Sequence, residues 1–314
     1  MFQPRPQVAR VEYPDGTFKV FNVDNLCQGS NLFNQAAAGI SQDARKYFSL
    51  SFIDTFDDTR YWLDDASVRP QLCHPANLRA RARRQNGEPR IQNINRELPW
   101  HFSFEVKFWP ISPTTLVDDT AKIYIFMQLK KDILYGNLPT PIDTFILLGA
   151  LFVQLRFGDF QSKKSEEYNG FLRTSRLVYN PLFDASVQEL IVQQYQKLIG
   201  TTTPQALNQF MSLCAGLPNY GSQIFTGKDK DQQQVSIGVG TFAVKIFHND
   251  IVVKTYPLDR FNLYFEKQKV FIRNNANVFD YDHDDIYELD DNKHEARLIC
   301  NLYYSILSFY QKYK

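Results

Sequence analysis

The residues best suited to chemistry in this sequence form an acidic run near the C-terminus. Residues 280–285 alternate carboxylates in the way that a calcium-binding EF-hand loop begins. Such a loop needs glycine at its sixth position and glutamate at its twelfth, but this sequence has Asp285 and Asp291 there. Because the residues that follow have the pattern of a strand, the run favours a solvated acidic turn over a metal site.

The other candidates for catalysis lack the partners that they would need. Cys73 adjoins His74, but neighbours along a chain do not place a thiol against a base, and no oxyanion-hole motif accompanies them. The five histidines are not clustered at metal-ligand spacing. Gly238-Val239-Gly240 lies within a strand pattern rather than before a helix. We therefore expect no enzyme active site, no cofactor and no metal.

The composition is that of a packed, soluble protein with little net charge. The chain has 314 residues, 44% of them hydrophobic and 22% charged, and its formal net charge of +1 argues against a globally basic nucleic-acid binder. Four scattered cysteines are typical of reduced thiols in the cytosol. The longest apolar run, residues 145–153, is far shorter than the roughly 20 residues of a membrane-spanning helix. We expect a cytoplasmic protein.

The first segment has the periodicity of a β-grasp fold. Strands are predicted over 8–13 and 17–23, joined at Asp15-Gly16, which is a strong hairpin signal. Ser30 is expected to cap a short helix that ends near Gly39. Two further strands are predicted over 48–54 and 60–64. Residues 99–110 alternate apolar and polar side chains and end at a proline, which predicts one more strand.

The second segment, residues 112–216, is helical. Helices are predicted over 117–135, 145–155 and 185–199, and another after Pro204. The helix over 145–155 is apolar on all sides, which predicts the buried centre of a bundle. Asp184 is the predicted N-cap of the helix that follows it.

The third segment, residues 220–314, contains short strands followed by one long helix. The predicted strands lie near 222–227, 234–239, 242–248, 251–256, 261–267, 269–273 and 285–289. Asn292 and Glu295 have the spacing of a capping box, so a helix is predicted from there to the C-terminus.

A linked series of motifs between residues 99 and 160 resembles one protein family. It opens with Pro-Trp-His-Phe-Ser-Phe-Glu-Val at 99–106, continues through Leu-Lys-Lys-Asp-Ile-Leu-Tyr-Gly at 129–136, and closes with Gly-Asp-Phe at 158–160. The series is similar to the join between the first two lobes of a FERM domain of the band 4.1 and ERM superfamily. The resemblance implies an α+β fold of three lobes: a ubiquitin-like β-grasp over 1–110, an acyl-CoA-binding-protein-like helical bundle over 111–217, and a PH/PTB-like sandwich over 218–314.

The resemblance also implies a function, that of a non-catalytic adaptor at the membrane–cytoskeleton interface. In PTB-like lobes an extended peptide adds to a free strand edge facing the C-terminal helix. The partners implied are cytoplasmic tails of transmembrane proteins and cytoskeletal or scaffold proteins, and the location is the cell cortex. Tyr264 is expected to offer its amide at that edge. The residues expected to form the groove are Phe261, Asn262, Leu263, Tyr264, Phe265, Ile299, Leu302, Tyr303 and Ile306.

Two alternatives stay open at this point. The segment 69–97, predicted to be an insertion in the first lobe, has seven arginines against two glutamates, so it is either a solvated loop or a surface for phosphoinositide-containing membrane. The residues expected to contact lipid are Arg81, Arg83, Arg84, Lys267, Lys269 and Arg273. In ERM proteins lysines follow the Trp-Leu pair, but here Asp64-Asp65 follow it, which disfavours that version of the site. The second alternative is a targeting module of a larger enzyme, such as a FERM-bearing tyrosine phosphatase.

Overall fold

The computed structural model describes residues 7–23, 27–53, 60–63, 100–175, 180–274, 284–289 and 293–313. The chain divides into two compact units. One comprises Met1–Lys107 with Pro113–Lys131, and the other comprises Phe108–Ser112 with Asp132–Lys314. Within the described ranges, no helix has the length and apolar character needed to span a membrane. The same ranges contain no group of three or more acidic, histidine or cysteine side chains that could bind a metal ion.

The first unit contains a five-stranded sheet with the order β2-β1-β5-β3-β4. Its strands are β1 (Gln7–Glu12), β2 (Phe18–Val23), β3 (Phe48–Ile53), β4 (Arg60–Leu63) and β5 (Trp100–Val106). The central pair, β1 and β5, is parallel, as in a β-grasp. The β1–β2 turn is stabilised by Asp15, whose carboxylate accepts from the amide of Thr17 at 2.9 Å, while Gly16 takes φ +83°.

In the described residues, two helices contact this sheet, α1 (Gly29–Ala36) and α2 (Gln42–Arg45). Ser30 lies inside α1, and the N-cap position belongs to Gln28. The prediction that Ser30 caps this helix is therefore wrong. The helix ends in a short 3₁₀ turn, Ala37–Gly39, close to the predicted end.

Aromatic rings form the core of the first unit. Phe104, at the centre of β5, is fully buried and lies 5.1 Å from the Phe48 ring and 5.5 Å from the Tyr13 ring. The side chain of Gln128 accepts from the amide of Val106 at 2.7 Å. Phe102, Phe104 and Val106 thus form the buried apolar face of β5. Glu105, on the other face, is also buried and accepts from the hydroxyl of Ser51 at 2.6 Å.

Five α-helices follow in the described residues between β5 and residue 216. They are α3 (Asp119–Leu134), α4 (Ile142–Phe157), α5 (Ser165–Thr174), α6 (Ala185–Gln196) and α7 (Thr203–Ala215). The prediction that α4 is buried is confirmed, since Phe145, Leu148 and Ala150 are at most 1% exposed. Asp184 caps α6 as predicted and accepts from the amide of Val187 at 2.8 Å. The sequence did not predict α5.

The second sheet has seven strands in the described part of the chain, in the order β10-β11-β12-β6-β7-β8-β9. They are β6 (Ser222–Lys228), β7 (Gln234–Gly240), β8 (Ala243–His248), β9 (Ile251–Pro257), β10 (Phe261–Glu266), β11 (Lys269–Asn274) and β12 (Asp285–Leu289). All seven predicted strands are confirmed. The helix α8 (Lys293–Tyr313) packs on the sheet, while the predicted cap Asn292 lies outside the described residues.

The short segment after β5 packs within the second unit. The Phe108 ring stacks on Phe309 of α8 with 4.4 Å between ring centroids. The amide of Trp109 donates to Thr241 Oγ1 at 3.0 Å, and the hydroxyl of Tyr220 donates to the carbonyl of Pro110 at 2.9 Å. Stacking and two buried hydrogen bonds thus fix these residues.

Candidate peptide-binding edge of the second sheet

Strand β10 is one end of the second sheet and is followed by a two-residue turn. In such a hairpin the pair that closes the turn, Glu266 and Lys269, exchanges both backbone hydrogen bonds, and every second pair does the same. Tyr264, which lies opposite Phe271, therefore points its amide into the sheet. The expectation that Tyr264 offers an edge donor is wrong because of this register.

The backbone groups that point outward from β10 belong to Phe261, Leu263 and Phe265. We call these outward-facing groups the β10 edge. The Leu263 and Phe261 side chains are buried, whereas Phe265 is 42% exposed. A partner strand could thus approach the backbone at Phe265 without displacing the core.

Two tyrosines of α8 already donate to this edge. The Tyr303 hydroxyl donates to the carbonyls of Phe261 at 2.8 Å and Leu258 at 3.1 Å. The Tyr304 hydroxyl donates to the carbonyl of Leu263 at 2.8 Å. Burial raises the pKa of both phenols, so both keep the proton that they donate at neutral pH. Among the described residues, no hydrogen bond is recorded from outside the sheet to the backbone of Phe265.

The helix residues predicted for the groove lie in the core instead. Their side chains are at most 5% exposed, and they pack α8 against the sheet: Ile299, Leu302, Tyr303 and Ile306. The exposed face of α8 is a different stripe, made of Arg297, Asn301, Tyr304, Ser308 and Gln311. Sequence reasoning missed Tyr304, although these five residues recur every three or four positions, which is the spacing of one helix face.

The two lysines predicted for lipid lie at the β10–β11 turn, whereas Arg273 lies near the other end of that hairpin, opposite Asn262. Lys267 is in the turn, with φ +55°, and Lys269 Nζ lies 3.7 Å from Glu288. Arg273 binds Asp284 through two nitrogens, at 2.8 and 2.7 Å. A lipid headgroup would have to compete with that carboxylate for Arg273. Arg81, Arg83 and Arg84 lie outside the described residues.

The two described members of the acidic run, Asp284 and Asp285, pair with side chains of the second sheet. Asp284 also accepts from the Tyr264 hydroxyl, and the hydrogen bond from Arg273 lowers the pKa of its carboxyl. Asp285 accepts from the hydroxyl of Tyr256 at 2.6 Å and pairs with Lys254. Each carboxylate therefore has a protein cation as its partner.

Comparison with known proteins shows what the chain is similar to. A family model described as the FERM central domain matches residues 112–225. The chain is 26% identical over 260 residues, 82% of its length, to human tyrosine-protein phosphatase non-receptor type 4. It is 25% identical over 248 residues, 79% of its length, to human band 4.1-like protein 2. The chain spans only 25% and 22% of these two relatives.

The fold is similar to solved FERM structures. The FERM and C-terminal domain complex of Drosophila Merlin matches with a TM-score of 0.73 and 19% identity, over 98% of this chain and 97% of that one. The human myosin 7b C-terminal MyTH4-FERM domain, in complex with the harmonin-a PDZ3 domain, matches with a TM-score of 0.69 and 16% identity, over 98% and 61%. The fold is that of a three-lobed α+β FERM domain. The family model and the band 4.1 relatives also support a FERM domain.

One spacing in the sequence bears on the phosphatase relative. Cys73 and Arg79 have the Cys-x5-Arg spacing of a tyrosine-phosphatase nucleophile loop. The five residues between them include Pro75 and no glycine. A phosphate-cradling loop uses successive backbone amides, and proline lacks one. Both residues lie outside the described ranges, and we assign them no role.

Proposed function

We propose that this chain is a non-catalytic adaptor that binds extended segments from the cytoplasmic tails of membrane proteins at the β10 edge. The observation that carries the proposal is that β10 ends its sheet with an outward-facing amide at Phe265. An added strand gains main-chain hydrogen bonds there, and side chains of the adjacent helix give selectivity. By holding such tails, the protein acts at the cytoplasmic face of the plasma membrane, beside the cortical cytoskeleton.

The relatives support a role in binding other proteins. Band 4.1-like proteins recur among them, and two of the similar FERM structures contain a protein partner, a C-terminal domain for Merlin and a PDZ domain for myosin 7b. A module of a larger signalling protein is compatible with the same binding role, since the chain matches a quarter of the phosphatase.

The test is a proline substitution that removes one edge amide. Phe265→Pro deletes the outward N–H and leaves the pairing with β11 intact, because proline is tolerated where the amide faces solvent. The probe is a phage library that displays cytoplasmic-tail segments of human membrane proteins. Selected peptides should bind Phe265→Pro about tenfold or more weakly, since a strand pairing loses at least one hydrogen bond and its register.

Two control variants separate the backbone from other effects. Thr255→Pro places a proline ring on β9, the strand at the opposite end of the sheet. Thr255 lies two residues before the native Pro257, so its amide points outward from the sheet as well. Phe265→Ala removes the side chain but keeps the amide. Both should retain binding to within about threefold. Equal binding to Phe265→Pro and the unmodified protein would refute docking at this edge.

The membrane alternative has its own test. If arginines of the segment 69–97 bind lipid, replacing Arg81, Arg83 and Arg84 with alanine should abolish salt-dependent binding to phosphatidylserine vesicles. Vesicle binding that survives this triple change counts against that surface. Peptide binding should be unaffected by it.

A further inference from the structure

The Tyr304 hydroxyl occupies the place that a docking strand would use. Its oxygen lies 2.8 Å from the Leu263 carbonyl oxygen, which is the distance at which the amide nitrogen of an added strand would lie. A paired strand runs about 4.8 Å from its neighbour. The end of the phenol therefore lies in the space between β10 and any added strand.

The two tyrosines differ in how firmly they are held. Tyr303 is fully buried and binds two carbonyls, and its ring packs on Phe261 with 4.8 Å between centroids. Tyr304 is 47% exposed and makes one such hydrogen bond. Rotation of Tyr304 into solvent breaks that bond without opening the core, whereas Tyr303 has no comparable path.

We propose that Tyr304 is a displaceable cap on Leu263, which an incoming strand must move aside before it can pair with this residue. The inference rests on the proposed function and adds a rule for partners. The outward backbone groups of Phe265 are available to a partner strand, and the carbonyl of Leu263 becomes available only when Tyr304 moves. The carbonyl of Phe261 stays bonded to Tyr303. A peptide should therefore pair over a short stretch that ends at Leu263.

A carbonyl oxygen has two lone pairs, so the competing possibility is that the Leu263 carbonyl accepts two hydrogen bonds at once. If Leu263 accepted from the peptide and from Tyr304 together, the hydroxyl would not oppose binding. The two outcomes predict opposite effects of removing the hydroxyl. Displacement predicts tighter binding, because the free protein no longer has a hydrogen bond to lose.

The experiment compares Tyr304→Phe with the unmodified chain, using a library-selected peptide that fails to bind Phe265→Pro. We expect Tyr304→Phe to bind about threefold to tenfold more tightly, as one net hydrogen bond is no longer broken. Tyr313→Phe removes a hydroxyl from an exposed tyrosine at the end of the same helix and should leave the affinity unchanged. Fluorescence anisotropy with the labelled peptide gives each dissociation constant.

The outcomes separate this inference from the proposed function. Unchanged or weaker binding to Tyr304→Phe, with binding to Phe265→Pro still lost, overturns the displaceable cap and leaves edge docking in place. If no selected peptide depends on Phe265, the proposed function fails and the inference fails with it.

A scan of the peptide tests the length of the pairing. Each peptide amide is methylated in turn, which removes one donor at a time. We expect sensitivity at the amide that pairs with Leu263 and none at the position that would face the Phe261 carbonyl. Strong sensitivity at that further position would show that Tyr303 also gives way, and would overturn the rule for partners.

Discussion

Gly149, in the middle of the buried helix α4, allows α6 to approach closely. A Cβ atom added at this position would lie 2.7 Å from Cδ1 and 2.9 Å from Cγ1 of Ile191, which is fully buried. Carbon atoms in good contact are about 3.5–4.0 Å apart, so Gly149→Ala forces the two helices to shift or Ile191 to leave its rotamer. Overpacking of this kind costs about 1–3 kcal/mol, and the better helix propensity of alanine returns about 1 kcal/mol. We expect a net loss of up to about 2 kcal/mol.

Gly170 offers a matched control in helix α5. The same added methyl group meets no atom within 4 Å there. Gly170→Ala should therefore show the propensity gain alone, up to about 1 kcal/mol of added stability. Urea unfolding followed by circular dichroism measures both variants, and the two substitutions should differ in sign.

A variant of Ile191 tests whether the contact with this side chain causes the loss of stability. Ile191→Val removes Cδ1, the atom nearest to the added methyl group. Gly149→Ala should cost less in that background than in the native one, which is a coupling that a double-mutant cycle detects. Equal stability of Gly149→Ala and Gly170→Ala, or no coupling with Ile191, would refute the steric argument.

Three further substitutions probe the third lobe. Asp284→Asn should destabilise the protein by about 2 kcal/mol at neutral pH, because Arg273 loses its carboxylate. Folding lowers the pKa of the Asp284 carboxyl. The stability that this carboxylate contributes is therefore present above the ordinary carboxyl pKa of about 4 and is lost as the pH falls through the lowered pKa of the folded state. The free energies of unfolding of the variant and the unmodified chain should thus converge in acid. Tyr303→Phe should cost about 1–3 kcal/mol, since it leaves two carbonyls without their buried donor, and its unfolding midpoint should fall below that of Tyr304→Phe. Gly221→Ala should lower the melting temperature, because Gly221 has φ +68° and an added Cβ would lie 2.8 Å from Cβ of Trp109; an unchanged melting temperature would contradict this packing.

The sequence predicts the elements of the fold where periodicity is strong. The apolar run of α4 and the seven strands of the second sheet follow from patterns that few other structures satisfy. Helix α5 was missed because Asn169 and Gly170 are weak helix formers at its centre. Its signal was the pair Tyr168 and Leu172, four positions apart and both fully buried.

The candidate site was harder to predict than the fold, for two physical reasons. Alternation along β10 identifies a buried face, but the direction of each amide depends on which pair closes the turn. Alternation alone therefore does not show that the amide of Tyr264 points into the sheet. On α8, the apolar residues of a core and of a groove follow the same helical spacing, and only the packed structure separates Tyr303 in the core from Tyr304 at the surface.

The packing of Phe108–Ser112 has a consequence for fragments of the protein. A fragment that starts at residue 218, at the predicted start of the third lobe, loses the Phe108 ring that stacks on Phe309 and the Trp109 amide that binds Thr241. It also leaves the hydroxyl of Tyr220 without the Pro110 carbonyl. Such a fragment therefore lacks contacts that the second unit makes within itself, and peptide binding by an isolated third lobe would understate that of the intact chain.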